Sequence, residues 1–267
     1  MKGNKPNCGI IILAAGLGKR MKSDKAKVLH EIEGRAMVSH VADTACTIAG
    51  EKVVIVVGHQ ASEVQRTVRK TVSCPVRFAL QERQLGTGHA VSCAVPFLDP
   101  AVEEVVILYG DVPLLRKQTI QRLLDDHTRA DRDLTVLVVE MEDPSGYGRI
   151  LTEQGNRLIG IVEEADASET QKRIGLINTG IYCVKRRFLA EALPLLSAEN
   201  AQSEYYLTDI VGIGHRQGRR MGILWTPDPD ETLGVNSVDE LERVKRIFQC
   251  HRRVAPPEPD GTTDKFP

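Results

Sequence analysis

Largely aliphatic runs at residues 10–13, 53–57, 76–80, 105–108 and 134–139 are separated by amphipathic stretches such as 38–49, and this alternation narrows the fold more than any other feature. Such runs suit strands covered on both faces, and a helix between successive strands returns the chain in the same direction. The pattern predicts an α/β chain with a mainly parallel sheet and helices on both faces. Ligands of such sheets bind beyond the carboxyl ends of the strands. Gly58-His59, Gln81-Glu82 and Gly110-Asp111 each follow a strand directly, so all three belong to one rim.

From about Gly146 the texture changes. Residues 147–151 and 157–163 alternate around the polar turn Glu153-Gln154-Gly155-Asn156, which predicts a β-hairpin laid beside the parallel core. Residues 175–184 and 222–225 add strands, and 238–252 reads as a closing charged helix. Residues 1–254 form one expected domain. Residues 255–267, with four prolines and little that is apolar, read as a disordered tail.

Thirty-five basic against 36 acidic side chains give a net charge of -1, so no basic field recruits nucleic acid or a membrane surface. Any anion must be held by a local cluster. The six cysteines, at 8, 46, 74, 93, 183 and 250, form no C-x-x-C pair and are expected to be buried free thiols. Lys2 and Lys5 before residues 10–17 imitate a signal peptide, but the apolar run is short and Lys19-Arg20 occupies the cleavage position, so a βα unit is the better reading. No stretch approaches the roughly 20 apolar residues of a membrane span. The expected compartment is the cytoplasm.

The first βα turn carries the chemistry. Leu13-Ala14-Ala15-Gly16-Leu17-Gly18-Lys19-Arg20-Met21 joins a buried strand to a loop able to wrap an anion with its backbone N–H groups, and Lys27 follows six residues later. Gly16 and Gly18 allow positive φ and close approach, while Arg20 and Lys27 supply charge for phosphoryl oxygens. The spacing completes neither a Walker loop nor a dinucleotide fingerprint. It predicts a nucleoside triphosphate site.

Asp111, directly past its strand, can reach a metal held on phosphates or can simply form a turn. Magnesium takes one or two protein oxygens and fills its shell with phosphate and water, and Asn236 offers a second hard oxygen. Helix capping is the alternative role for Asn236, although Ser237 could cap equally well. Gln81 and the loop 84–90 present an amide for a base edge and a tight turn. His89, opening a helix, is more often a cap or packing residue than a catalyst.

These residues, together with Lys27-Val28-Leu29-His30, Gly146-Tyr147-Gly148-Arg149-Ile150, Asn178-Thr179-Gly180, Glu204-Tyr205-Tyr206-Leu207-Thr208-Asp209 and Gly234-Val235-Asn236, resemble the bacterial N-acetylglucosamine-1-phosphate uridylyltransferases, among the nucleotide-diphosphate-sugar pyrophosphorylases, over residues 9–248. The resemblance implies a three-layer, Rossmann-like nucleotide-diphospho-sugar transferase fold. It implies transfer of a uridylyl group from UTP to N-acetylglucosamine 1-phosphate with magnesium as cofactor. Leu13, Ala14, Ala15, Gly16, Gln81, Gly86 and Thr87 would hold the nucleotide, Arg20 and Lys27 would act on its phosphates, and Asp111 and Asn236 would bind the metal. Tyr109, Gly148, Glu163, Asn178, Tyr206 and Thr208 would line the sugar pocket.

Departures from the family pattern carry their own expectations. Ala26 replaces a usual proline, which predicts a less rigid lysine loop. Ala165 replaces a usual lysine near the sugar phosphate, which keeps glucose 1-phosphate or N-acetylgalactosamine 1-phosphate open as the substrate. A non-catalytic nucleotide-sugar sensor is a further alternative. The bifunctional members of the family continue into hexapeptide repeats that acetylate glucosamine 1-phosphate and trimerise; this sequence shows none, so neither property is expected, and its oligomeric state stays open.

Overall fold

The computed structural model describes residues 7–21, 23–153 and 157–254. Strand β1 (Cys8–Ala14) is followed by a small ribbon of β2 (Glu31–Ile32) and β3 (Arg35–Ala36), then α1 (Met37–Ala49), β4 (Val53–Val57), α2 (Ala61–Thr71), β5 (Arg77–Leu80), α3 (Thr87–Ala94), β6 (Glu104–Tyr109), α4 (Lys117–Arg129) and β7 (Leu134–Glu140). A second run comprises β8 (Arg149–Glu153), β9 (Arg157–Val162), β10 (Leu176–Lys185), α5 (Arg186–Ala192), α6 (Asp209–Arg216), β11 (Met221–Trp225) and α7 (Val238–Val254).

The main sheet runs β11-β7-β10-β6-β1-β4-β5, with β8 paired to β10 and β9 to β8. Strands β5, β4, β1 and β6 are mutually parallel, as are β11 and β7. Strand β10 lies antiparallel between β6 and β7, an insertion that the sequence pattern does not announce. The hairpin β8–β9 is antiparallel as expected and joins β10 through Ile177 and Arg149. Its turn at 154–156 lies outside the described residues, as does the expected tail at 255–267.

The two-residue period of a strand sorts β1 into both cores. Ile10, Ile12 and Ala14 pack with Val41 and Ala45 of α1, Val64 of α2 and Leu123 of α4. Ile11 and Leu13, with Ala15 just past the strand, pack with Val91 of α3, Phe188 of α5 and Ile210 of α6. The result is three layers. Each large aliphatic side chain fully buried in this way contributes about 1.5–3 kcal/mol, which fixes the strand that launches the glycine-containing loop at 15–18. A smaller cluster of Met21, Ile32, Met37, Leu114, Val235 and Leu241 seats α7 and the segment before it against the same end of the sheet.

The cysteines depart from expectation. All six are free, but only Cys8 and Cys183 are buried; Cys46, Cys74 and Cys93 are half-buried and Cys250 is exposed, because those four lie on helices or loops with one solvent side. No helix among the described residues is long and apolar enough to cross a membrane.

Candidate functional site

The carboxyl ends of β1, β4, β5 and β6 form one rim, stitched by the backbone bonds His59 N–H to Ala15 O (3.3 Å), Gln81 N–H to Val57 O (2.8 Å) and Gly110 N–H to Leu13 O (2.9 Å). Above it lies a cavity of about 610 Å³. Leu13, Ala14, Ala15, Gly16, Arg20, Lys27, Gln81, Gly86, Thr87, Asp111 and Asn236 all line it. A second cavity of about 240 Å³ is lined by Gly148, Glu163, Asn178, Tyr206 and Thr208. Thr87, Tyr109 and Glu204 line both, so the two open onto each other.

Glycines set the walls. Gly18 has φ +64°, and a Cβ there would sit 2.7 Å from the Lys27 Cβ, so the loop after β1 and the lysine segment touch only because residue 18 lacks a side chain. Gly16 does not use the positive φ open to it, and it lines the cavity with nothing within 4 Å of where a Cβ would stand. Gly86, at φ +110°, presses against the Tyr205 backbone, where a Cβ would lie 2.6 Å from the carbonyl oxygen. Thr87 adds a bond from Leu207 N–H to its Oγ1 at 3.0 Å. The loop at Gly86 and Thr87 is thereby locked to the segment carrying Tyr206 and Thr208.

The Lys27 ammonium donates to Asn236 Oδ1 at 2.8 Å and contacts Asp111 Oδ2 directly. Two hard oxygens from distant parts of the chain thus converge on one cation position. Ser237 and Glu240 form the capping box of α7, with Ser237 N–H to Glu240 Oε2 at 2.8 Å and Glu240 N–H to Ser237 Oγ at 3.3 Å. Capping by Ser237 frees the Asn236 carbonyl oxygen for the site. The Asp111 side chain is turned to Lys27, while its backbone oxygen accepts from Val235 N–H at 2.9 Å. The donor set, two oxygens without nitrogen or sulfur, fits magnesium. Arg20 is exposed at the edge of the same cavity.

Gln81 is buried, and its Nε2 is committed to Gly86 O and His89 Nδ1, each at 3.0 Å. A carbonyl accepts only, so the amide nitrogen must face Gly86, and Oε1 is the atom left to accept. His89 accepts at Nδ1 and so carries its proton on Nε2. It orients Gln81, which is the packing role the sequence favours over catalysis.

In the smaller cavity Glu163 Oε1 accepts from Thr208 Oγ1 at 2.9 Å. Burial raises the Glu163 pKa above the usual glutamate value, with Asp209 and Asp166 adding to the rise and the Thr208 bond opposing it. Burial, then the Glu163 and Asp111 charges, pushes the Tyr109 phenol up, and burial beside Asp166 pushes Tyr206 up to about 12. Both phenols stay neutral donors at pH 7. Because the folded protein holds a proton on Glu163 more tightly than the unfolded chain does, stability falls as pH rises from the unfolded value of 4.5 through the raised folded value. Glu163→Gln should flatten that part of the curve and raise the melting temperature at pH 7 slightly. An unchanged pH–stability curve would show that Glu163 is solvated like a surface carboxylate.

Gln84 and Glu204, which fall within the loop 84–90 and the 204–209 motif but received no role there, also line the larger cavity, and Gln60, which lies in no motif, reaches the backbone at Asp24 and Ala26 just before Lys27. Among the described residues the metal-type triplet Glu104, His127 and Cys183 sits at the opposite end of the sheet. There His127 bonds Thr135 Oγ1 (2.9 Å) and Glu104 Oε2 (3.0 Å), and burial, then Cys8 and Glu104, drives the Cys183 thiol well above its ordinary range. That buried knot ties α4 to β6 and β7.

A model of the MobA-like NTP transferase domain matches residues 10–202. The chain belongs to this family. Among its relatives, the bifunctional protein GlmU of Syntrophotalea carbinolica is 45% identical over 244 residues, covering 91% of this chain and 51% of the relative. GlmU of Burkholderia mallei is 48% identical over 241 residues, covering 90% and 52%. The chain thus spans about half the length of these relatives and is a homologue of the part it matches. Two solved structures share the NTP transferase fold: UDP-glucose pyrophosphorylase complexed with UDP-glucose (TM-score 0.74, 16% identity, 91% of this chain and 99% of that one) and HddC from Yersinia pseudotuberculosis complexed with GMP-PN (0.67, 18%, 90% and 99%).

Proposed function

We propose that the protein is a magnesium-dependent uridylyltransferase that joins UTP and N-acetylglucosamine 1-phosphate into UDP-N-acetylglucosamine and releases pyrophosphate. The observation that carries this reading is the pair of cavities meeting at Thr87, Tyr109 and Glu204, one with a cation cluster and a buried amide, the other with a carboxylate and hydroxyls. A nucleotide and a sugar phosphate can lie end to end across that junction.

The sugar phosphate attacks the α-phosphorus of UTP through one of its own oxygens, and the bond from that phosphorus to the β-phosphate bridge breaks as pyrophosphate leaves. A phosphate monoester has a second pKa of about 6, so the nucleophile is already largely ionised at pH 7 and no general base is needed. The chain's task is positioning and neutralisation of charge. The Leu13–Gly16 backbone with Gly86 and Thr87 seats the nucleoside, Arg20 and Lys27 neutralise its phosphates, and Gly148, Glu163, Asn178, Tyr206 and Thr208 orient the sugar beside Tyr109. Asp111 and Asn236 would hold magnesium, which when bound supplies further charge neutralisation on phosphate oxygens. UTP and a sugar 1-phosphate are the partners, with no nucleic acid or membrane among them, and six free thiols suit the reducing cytoplasm.

Base choice tests this reading. Gln81 Oε1 accepts the N3–H of uracil, whereas cytosine presents an acceptor at N3 and a purine needs more room. Leaving the buried amide oxygen unpaired should favour UTP over CTP, ATP and GTP by at least about a hundredfold in kcat/KM. Equal rates with any of these would refute the assignment. A panel of N-acetylglucosamine, glucose and N-acetylgalactosamine 1-phosphates, read by pyrophosphate release, should rank the first highest; preference for another would move the substrate without moving the site.

A further inference from the structure

Lys27 stands at the end of a segment, residues 23–26, that belongs to no sheet or helix. One side chain from elsewhere in the fold holds it. Gln60 Nε2 donates to Asp24 O at 2.6 Å, and Gln60 Oε1 accepts from Ala26 N–H at 2.8 Å. A single amide thus engages backbone on both sides of Lys25, as a neighbouring strand would.

The turn that presents Gln60 is itself tied to the phosphate loop. His59 N–H bonds Ala15 O at 3.3 Å, and a Cβ on Gly58 would lie 2.9 Å from Ala15 Cβ and 2.6 Å from Gln84 Nε2. Gln60 takes a left-handed backbone, φ +51° and ψ 40°, a conformation that non-glycine residues adopt at a cost. That backbone is retained where the surrounding bonds over-determine it. Gly58-His59-Gln60 therefore links the loop after β1 to the segment before Lys27.

We propose that Gln60 is a positioning residue for Lys27, setting where its ammonium stands relative to the phosphate loop. The proposal rests on the reading of Lys27 as the cation for the nucleotide phosphates. Ala26 has φ -53° and ψ 136°, values that proline adopts without strain, but proline would remove the N–H that Gln60 accepts. Proline at 26 would stiffen the same segment by another means and break half of the Gln60 clamp, leaving only the bond to Asp24 O.

That conflict gives the test. Gln60→Gly keeps the left-handed turn and deletes the amide; Ala26→Pro deletes the N–H and stiffens the backbone. In uridylyl transfer, Gln60→Gly should lower kcat/KM for UTP by about tenfold or more with the melting temperature nearly unchanged. Ala26→Pro alone should lower it modestly, and the double variant should recover to within about threefold of the parent, a sign reversal that independent sites do not produce. Hydrogen exchange at the Ala26 amide should speed up at least about tenfold in Gln60→Gly, a readout that needs no activity. Unchanged exchange, Gln60→Gly within twofold of the parent, or a double variant no better than Gln60→Gly would each overturn the proposal. Lys27→Met separates the two readings: if it transfers normally, the phosphate role of Lys27 fails; if it is inactive while Gln60→Gly is normal, only the positioning role of Gln60 fails.

Discussion

Asp111→Asn should lower turnover by about a hundredfold or more while costing only about 1 kcal/mol of stability. The carboxylate is held in contact with Lys27 at a position that the Asn236 oxygen shares, so its charge is directed into the cavity and not into the core. At about 4 Å and an effective dielectric near 20, removing one unit of charge forfeits on the order of 4 kcal/mol per unit of opposing charge. Transition-state arithmetic makes that roughly a thousandfold, and water replacing the lost charge brings the figure down towards a hundredfold. Asn retains the shape and one acceptor, and Lys27 keeps its bond to Asn236, so the fold loses little. The variant should also need more magnesium for half-maximal rate. Near-normal turnover at saturating magnesium would reduce Asp111 to a turn residue.

Glu231→Ala should produce the largest loss of stability among the single substitutions considered, about 3–5 kcal/mol by urea denaturation. This carboxylate is only 1% exposed. It accepts from Thr119 Oγ1 at 2.7 Å, from Arg116 Nε at 3.3 Å and N–H at 3.4 Å, and from the Thr226 hydroxyl. Truncation leaves the Thr119 and Thr226 hydroxyls without their acceptor, each costing about 1–3 kcal/mol when buried and unpaired, and breaks the link to the half-exposed Arg116. Glu231→Gln keeps acceptor capacity and should lose less than half as much. The network anchors the start of α4 to the segment five residues before Asn236, so at temperatures where the variant is folded, magnesium dependence should shift more than base preference. A loss under about 1 kcal/mol would mean that water satisfies the freed donors.

How much of this was legible in the sequence depended on whether a local signal existed. Residues 53–57 read as a strand because five aliphatic residues in a row leave few other options, and β4 has those bounds. The rim followed from strand direction: parallel strands end on the same side, so Gly58, Gln81 and Asp111 had to be neighbours. The place of β10 was not legible. Its ten residues alternate acceptably for any edge or centre, and its antiparallel seat between β6 and β7 is set by packing, with Gly180 at φ +80° lying against the Tyr109 ring. Glu163 and Tyr206 gave no signal individually and were singled out only through family resemblance, whereas the structure brings them to one cavity.

Ala26 is the instructive case. The missing proline predicted a looser lysine segment, yet Gln60, 34 residues away, binds the very N–H that proline would lack. No pattern of spacing could reveal that compensation, because it depends on how the turn after β4 is aimed. Gln60 has the sequence context of a surface turn residue and the contacts of a clamp.

The most direct test is phosphorus NMR of the purified protein with UTP, N-acetylglucosamine 1-phosphate and magnesium. The account predicts that the monoester signal disappears as UDP-N-acetylglucosamine and pyrophosphate appear in equal amounts, and that omitting the sugar phosphate or chelating the metal stops both. No diphosphate-sugar product with any hexose 1-phosphate, or an undiminished rate after exhaustive chelation, would contradict it.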